Sequence, residues 1–135
     1  MKRILRHLLL PIFIGLLIFI GTCILNPNDV PVMPQGIPWD KIVHFGMFFL
    51  LSIVCFYDYY TLYNGNISKI KWIFWSFIIP VIYGGVIELM QKYIFSSRSA
   101  EWGDFFADML GSFTATVFAL FFYNLIHKKK KNISL

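Results

Sequence analysis

The chain has 135 residues, of which 58% are hydrophobic and only 14% charged, with a formal net charge of +5. That length bounds it to one domain, residues 1–135, and that balance lies far from soluble globular proteins, in which about 25% of residues are charged. Cys23 and Cys55 stand alone, which excludes a disulfide framework and the paired spacings of a zinc site, and the basic residues form no aromatic-interleaved groove for nucleic acid.

A bilayer core takes about 20 apolar residues per helix, and four segments come close: 8–25, 42–57, 72–95 and 105–126. The expected fold is therefore all-α, an integral membrane four-helix bundle. The first segment follows a basic start, but no small-x-small cleavage site succeeds it, so it reads as a retained helix rather than a signal peptide. Between the first two segments, "NPNDVPVMPQGIPW" holds four prolines and predicts an extended loop on the membrane surface. The twelve Lys and Arg residues fall unevenly: three at the N-terminus (Lys2, Arg3, Arg6), two in the middle loop (Lys69, Lys71) and four in the tail (Lys128 to Lys131). Lys41, Lys92 and Arg98 lie opposite. The positive-inside rule then sets both termini in the cytoplasm and faces the Pro-rich loop and the 92–103 loop outward.

In this arrangement most of the acidic side chains gather at one depth. Asp40, Lys41 and His44 open helix two, with Asp40 and His44 one turn apart; Glu88 and Gln91 share a face near the outer end of helix three; Arg98 lies in the following loop; Asp104 and Asp108 open helix four. Charged groups in lipid are costly, so they are expected to face the bundle and pair. Asp58 is the acid at the other end. Helix four repeats small residues every fourth position, Ala107, Gly111, Ala115 and Ala119, beside a polar row of Asp104, Asp108, Ser112 and Thr116. This wedge is expected to turn inward against another helix, leaving Phe105, Met109, Phe113 and Phe121 toward lipid. Helix three carries Pro80, which removes a backbone bond near Ser76 and predicts a kink, and then Gly84 and Gly85, which either ease packing or open a path to Glu88.

With "WDKIVHFGMFFLLS", "GGVIELMQ" and "RSAEWGDFFADMLG" in view, the chain resembles the VanZ-like membrane proteins from about Trp39 to about Ala115. The family pattern is Asp-Lys-x-x-His at the start of one span, Glu-x-x-Gln in the next, then Arg and Asp leading into a last span with Asn and Gly. It falls on Asp40, Lys41, His44, Glu88, Gln91, Arg98, Asp104 and Gly111, and departs at Asp108, where the pattern more often has Asn. The resemblance implies a multi-pass protein of the bacterial plasma membrane, whose family namesake gives low-level resistance to the glycopeptide teicoplanin.

Two functional readings follow. In the first, an outward pocket binds or modifies a lipid headgroup, a lipid-linked wall precursor or a glycopeptide, with Lys41 and Arg98 holding phosphate and Gln91, Asp104 and Asp108 completing the ligand-binding set. In the second, the chain is an acid/base enzyme on a lipid-linked substrate, with His44 as base held by Asp40 and Glu88 as partly buried acid. No catalytic signature or phosphate-cradling loop accompanies these residues, and no cofactor is expected. No metal is assigned either, although a metal-dependent variant would use His44, Glu88, Asp104 and Asp108, a set with one His that favours Mg²⁺ or Ca²⁺ over Zn²⁺. A third reading makes the cluster a set of packing salt bridges. The remaining partners are membrane lipids and, as an open alternative, a second copy of the chain.

Overall fold

A computed structural model describes residues 2–25, 34, 36–95 and 100–133, with side chains described for 7–25, 34, 36–95 and 100–126. All regular structure in these residues is helical. Helix α1 (Lys2–Phe19) runs into a π-helical turn, Ile20–Ile24. Helix α2 covers Trp39–Leu62. Helix α3 (Lys69–Ile73), a second π-helical turn (Phe74–Ile78) and α4 (Ile79–Tyr93) form one continuous rod, and α5 covers Trp102–Ile133. Four helical rods are long and apolar enough to cross a membrane: His7–Ile24, Trp39–Leu62, Lys69–Tyr93 and Trp102–Ile126. Their outer faces carry Leu16, Leu50, Ile82, Leu110 and Phe121, all well exposed, an apolar exterior of the kind a membrane-crossing helix presents to lipid.

The helices outrun the apolar segments that predict them. Helix α2 begins at Trp39 rather than residue 42, taking Asp40 and Lys41 into its first turn, and α5 begins at Trp102 rather than residue 105. An apolar run measures the thickness of the bilayer, whereas a helix stops where its backbone bonding stops. An acid in the first turn favours the helix N-terminus, and Asp40 and Asp104 both occupy that place. At the other end α5 continues to Ile133, through a run of lysines that are good helix formers.

The bundle is organised around the pair α2 and α5. A Cβ placed on Gly111 would overlap the carbonyl oxygen of Phe45 and lie 3.1 Å from the amide nitrogen of Phe49, so the two backbones touch there. Ala115 and Ala119 extend the contact and are buried. The adjoining row of Asp104, Asp108, Ser112 and Thr116 is buried with them, while Phe113 and Phe121 are exposed. Phe105 and Met109, expected on the lipid face, are half-buried. Phe105 sits over Gly85, its ring 3.5 Å from where a Cβ would be, so a missing side chain on α4 draws it partly inward.

Pro80 is accommodated by a π-turn. Lacking an N–H, it leaves a carbonyl on the preceding turn without a helical donor, and the backbone widens over Phe74–Ile78 just before it. Thr116 on α5 reaches into that gap. Its Oγ1 lies 2.8 Å from Ser112 O and 3.2 Å from Ser76 O, so one hydroxyl hydrogen serves carbonyls on two helices.

Gly111→Ala is expected to destabilise the protein by about 1–3 kcal/mol, because the added methyl has no room without separating α2 from α5. Gly46→Ala, at a helical site with open space around it, should be neutral or stabilising by up to about 1 kcal/mol. Thermal unfolding in detergent compares the two, and equal effects would contradict the tight contact at 111.

Candidate functional site

The polar residues lie at the end of the bundle where α2 and α5 begin and α4 ends, in two layers. Lys41 organises the outer layer. Its Nζ is 3.0 Å from Asp40 Oδ2, 2.9 Å from Glu101 Oε2 and 3.0 Å from Asp104 Oδ1, so each of its three N–H donors meets a carboxylate. Gly103 makes this possible, since a Cβ there would stand 2.7 Å from Lys41 Cε. Lys41, expected to hold phosphate, is therefore fully engaged by the protein's own acids. Glu101 was not among the expected residues, although its place three residues before Asp104 and seven before Asp108 puts all three acids on one helical face. It also joins the layers: its backbone N–H donates to Glu88 Oε2 at 3.0 Å, and its carbonyl accepts from the Asp104 amide in the first turn of α5 at 3.0 Å.

The inner layer consists of His44, Glu88 and Asp108, one from each of three spans, all buried. His44 Nδ1 lies 2.9 Å from Asp108 Oδ1, and His44 Nε2 is 4.0 Å from Asp104 Oδ2. With Asp108 ionised its oxygens only accept, so the hydrogen of the shorter bond sits on Nδ1, and in the neutral ring Nε2 keeps its lone pair. The expectation that Asp40 holds His44 is corrected here. Asp40 is 58% exposed and turned to Lys41, while the role falls to Asp108, which is fully buried on the facing helix. Two residues one turn apart on one helix run side by side, whereas a residue across a tight helix contact meets the ring end-on.

Gly84 shapes the same site. A Cβ there would lie 2.9 Å from Asp108 Oδ2 and 3.2 Å from the Phe48 ring, so of the two roles open for the glycines this one admits neighbouring side chains. Gln91, expected to contact a ligand, instead donates from Nε2 to Thr22 O at 2.9 Å. It thereby fastens the π-turn that ends the first rod to α4, and Thr22 Oγ1 bonds back to Ile18 O at 2.8 Å. Arg98, expected to pair with these acids or hold an anion, lies outside the described residues, as does most of the Pro-rich loop.

Beside the cluster, a groove of about 680 Å³ runs along α4 and the start of α5. Ile82, Val86, Leu89, Trp102 and Phe105 give it apolar walls, Glu88 reaches it from the inner side, and Lys92, in the last turn of α4, supplies a cation. At the other end of the bundle, Asp58 is paired with His7, Nδ1 to Oδ1 at 3.2 Å, so that acid also has a partner from a neighbouring helix.

Chemically, the inner layer offers an imidazole base oriented by a carboxylate, a second buried carboxylate, and a donor set of His44, Glu88 and Asp108 able to hold a cation; Asp40, Glu101 and Asp104 form a second acidic group nearer the surface. Fold and site together define a class of protein, an all-helical bundle with four helices long and apolar enough to cross a membrane and an imidazole–carboxylate cluster buried at one end. Comparison of the chain with models of protein families, with curated proteins and with solved structures finds no match.

Lys41→Met should destabilise the protein by about 1–3 kcal/mol, because Asp104 is nearly buried and would lose its cation. Glu101→Gln, which leaves Lys41 two of its three carboxylates on a more exposed rim, should change stability by less than about 1 kcal/mol. Unfolding midpoints in detergent distinguish the two.

Proposed function

We propose that this chain is a VanZ-like multi-pass protein of the bacterial plasma membrane that binds or modifies the headgroup of a membrane lipid or lipid-linked wall precursor at the outer face. The family assignment rests on the residue pattern from Trp39 to Ala115, and through it the reading extends to the cell envelope and to teicoplanin-type glycopeptide resistance. The orientation rests on the nine basic residues at the termini and middle loop.

The observation that carries the headgroup reading is the groove between α4 and α5. It opens among exposed Leu89 and Trp102, so an acyl or polyprenyl chain could lie along Ile82 and Val86 without leaving an apolar surrounding. Lys92 stands where an anionic headgroup would sit, and Glu88 joins this groove to the buried cluster. Lys92 thus takes the phosphate-binding part first given to Lys41. The His44–Asp108 bond favours a second reading in which the bound headgroup is also a substrate: Asp108 orients the ring, Nε2 takes a proton from water as its oxygen bonds to the headgroup ester, and Glu88, protonated beforehand, gives its proton to the alcohol oxygen released as the ester bond breaks.

Two experiments test this reading. Wild-type protein extracted with its native lipids should retain an anionic or polyprenyl-linked lipid detectable by mass spectrometry, and Lys92→Ala and Val86→Trp, which respectively remove the cation and fill the groove, should each reduce it at least tenfold. Equal lipid in all three preparations would overturn the groove assignment. A reporter active only outside the cytoplasm should be silent when fused after Asn66 and active after Tyr93; the reverse would turn the cluster toward the cytoplasm.

A further inference from the structure

We propose that His44, Glu88 and Asp108 form a binding site for one divalent cation of the Mn²⁺ type. Each of the three offers a ligand atom within 4.8 Å of the other two, and all three side chains are buried. Two ligands at about 2.1 Å from one ion stand about 3.0 Å apart when adjacent and about 4.2 Å apart when opposite, so side-chain movements of up to about 2 Å close the set around a metal. With the ring hydrogen moved to Nε2, His44 Nδ1 becomes a ligand, and its 2.9 Å from Asp108 Oδ1 is already close to the spacing of neighbouring ligands on an octahedral ion.

A second observation, independent of the clustering, points to a ligand. Glu88 Oε1 and Asp108 Oδ2 are buried and have no hydrogen-bond partner among the described residues. A buried acceptor without a partner is costly, and more so when it carries charge. A proton on either oxygen would not cure this, because the new O–H would need an acceptor in turn. Lys41 does not supply the missing charge, since its three donors meet Asp40, Glu101 and Asp104. Gly84 lets the Asp108 carboxylate come this close to α4, the span that carries Glu88, as a Cβ would stand 2.9 Å from Asp108 Oδ2. Asp104 Oδ2, 4.0 Å from His44 Nε2, lies on the other side of the ring, where it is placed to accept the Nε2 hydrogen of an imidazole that ligates through Nδ1.

The donor types select the ion. One imidazole with carboxylates, and no thiolate in the set, suits a borderline-hard cation; Ca²⁺ takes six to eight oxygen ligands, while Mn²⁺ accepts nitrogen and oxygen together and keeps coordination positions for water. The site stands on these three side chains and not on the groove, so it can succeed or fail independently of the headgroup reading.

The test uses the full chain in detergent, freed of metal with a chelator and titrated with Mn²⁺ alone. The free-ion electron paramagnetic resonance signal should report one saturable site per chain. Glu88→Gln and Asp108→Asn should each weaken binding at least tenfold, and Asp40→Asn and Glu101→Gln should leave it unchanged. A spin-echo measurement on the wild-type complex needs no variant to fold and should show modulation from an imidazole nitrogen, kept in His7→Gln and lost in His44→Gln. The proposal is overturned by the absence of saturable binding, by a wild-type complex without nitrogen modulation, or by binding that depends on Asp40 and Glu101 instead.

Discussion

The polar cluster depends on how closely α5 approaches α2. Position 111 has no side chain, so the backbone of α5 rests on the carbonyl of Phe45. This contact lies one turn beyond Asp108 and puts that carboxylate beside His44 instead of on the bundle's apolar exterior. A wider spacing would leave the ring and the acid facing a gap, and each would carry its desolvation cost without the bond that offsets it. Packing by small residues and pairing of charges are therefore one constraint: the glycine determines the distance, and the distance determines whether the charges are tolerable. Gly84 and Gly103 repeat the device, each removing a Cβ where a charged side chain must pass.

The two layers of the cluster differ in access to solvent. Around Lys41 three acids share one ammonium, and the group is half open to solvent, which screens the excess negative charge. Below it, Glu88 and Asp108 share one imidazole. A protein could fill that position with an apolar residue at no loss of stability, and retention of two acids at this depth is the kind of local conflict that marks a working site. The adjoining groove gives the same residues a route to lipid, with Glu88 common to both.

Much of this arrangement is legible in the sequence, and the parts that are not share a cause. The four spans follow from apolar length, and the inward wedge of α5 follows from a four-residue repeat that carries both the alanines and Asp104, Asp108, Ser112 and Thr116. Pairing between helices is harder to read. Asp40 and His44 look like partners because one helix brings them together, yet the bond that forms joins His44 to Asp108, 64 residues away. Gln91 likewise reads as a ligand residue beside Glu88, although its amide meets a carbonyl exposed by a π-turn for which the sequence has no clear sign. Periodicity reports which face a residue occupies; it does not report how far the opposite face stands from it.

The π-turn before Pro80 bears on how this rod can change length. An α-helix turns about 100° per residue, so losing one residue anywhere ordinarily swings everything beyond it out of register. A π-turn holds one residue more than the α-helical path across the same rise, and the helices on either side keep their phase around it. A single-residue deletion within Phe74–Ile78 could therefore relax to plain α-helix with Trp72 and Glu88 still pointing inward. The same deletion between Ile79 and Ile87 would carry Glu88 and Gln91 away from His44 and Thr22. The rod thus has one segment where its length can vary and another where the spacing is fixed by what its far end must face.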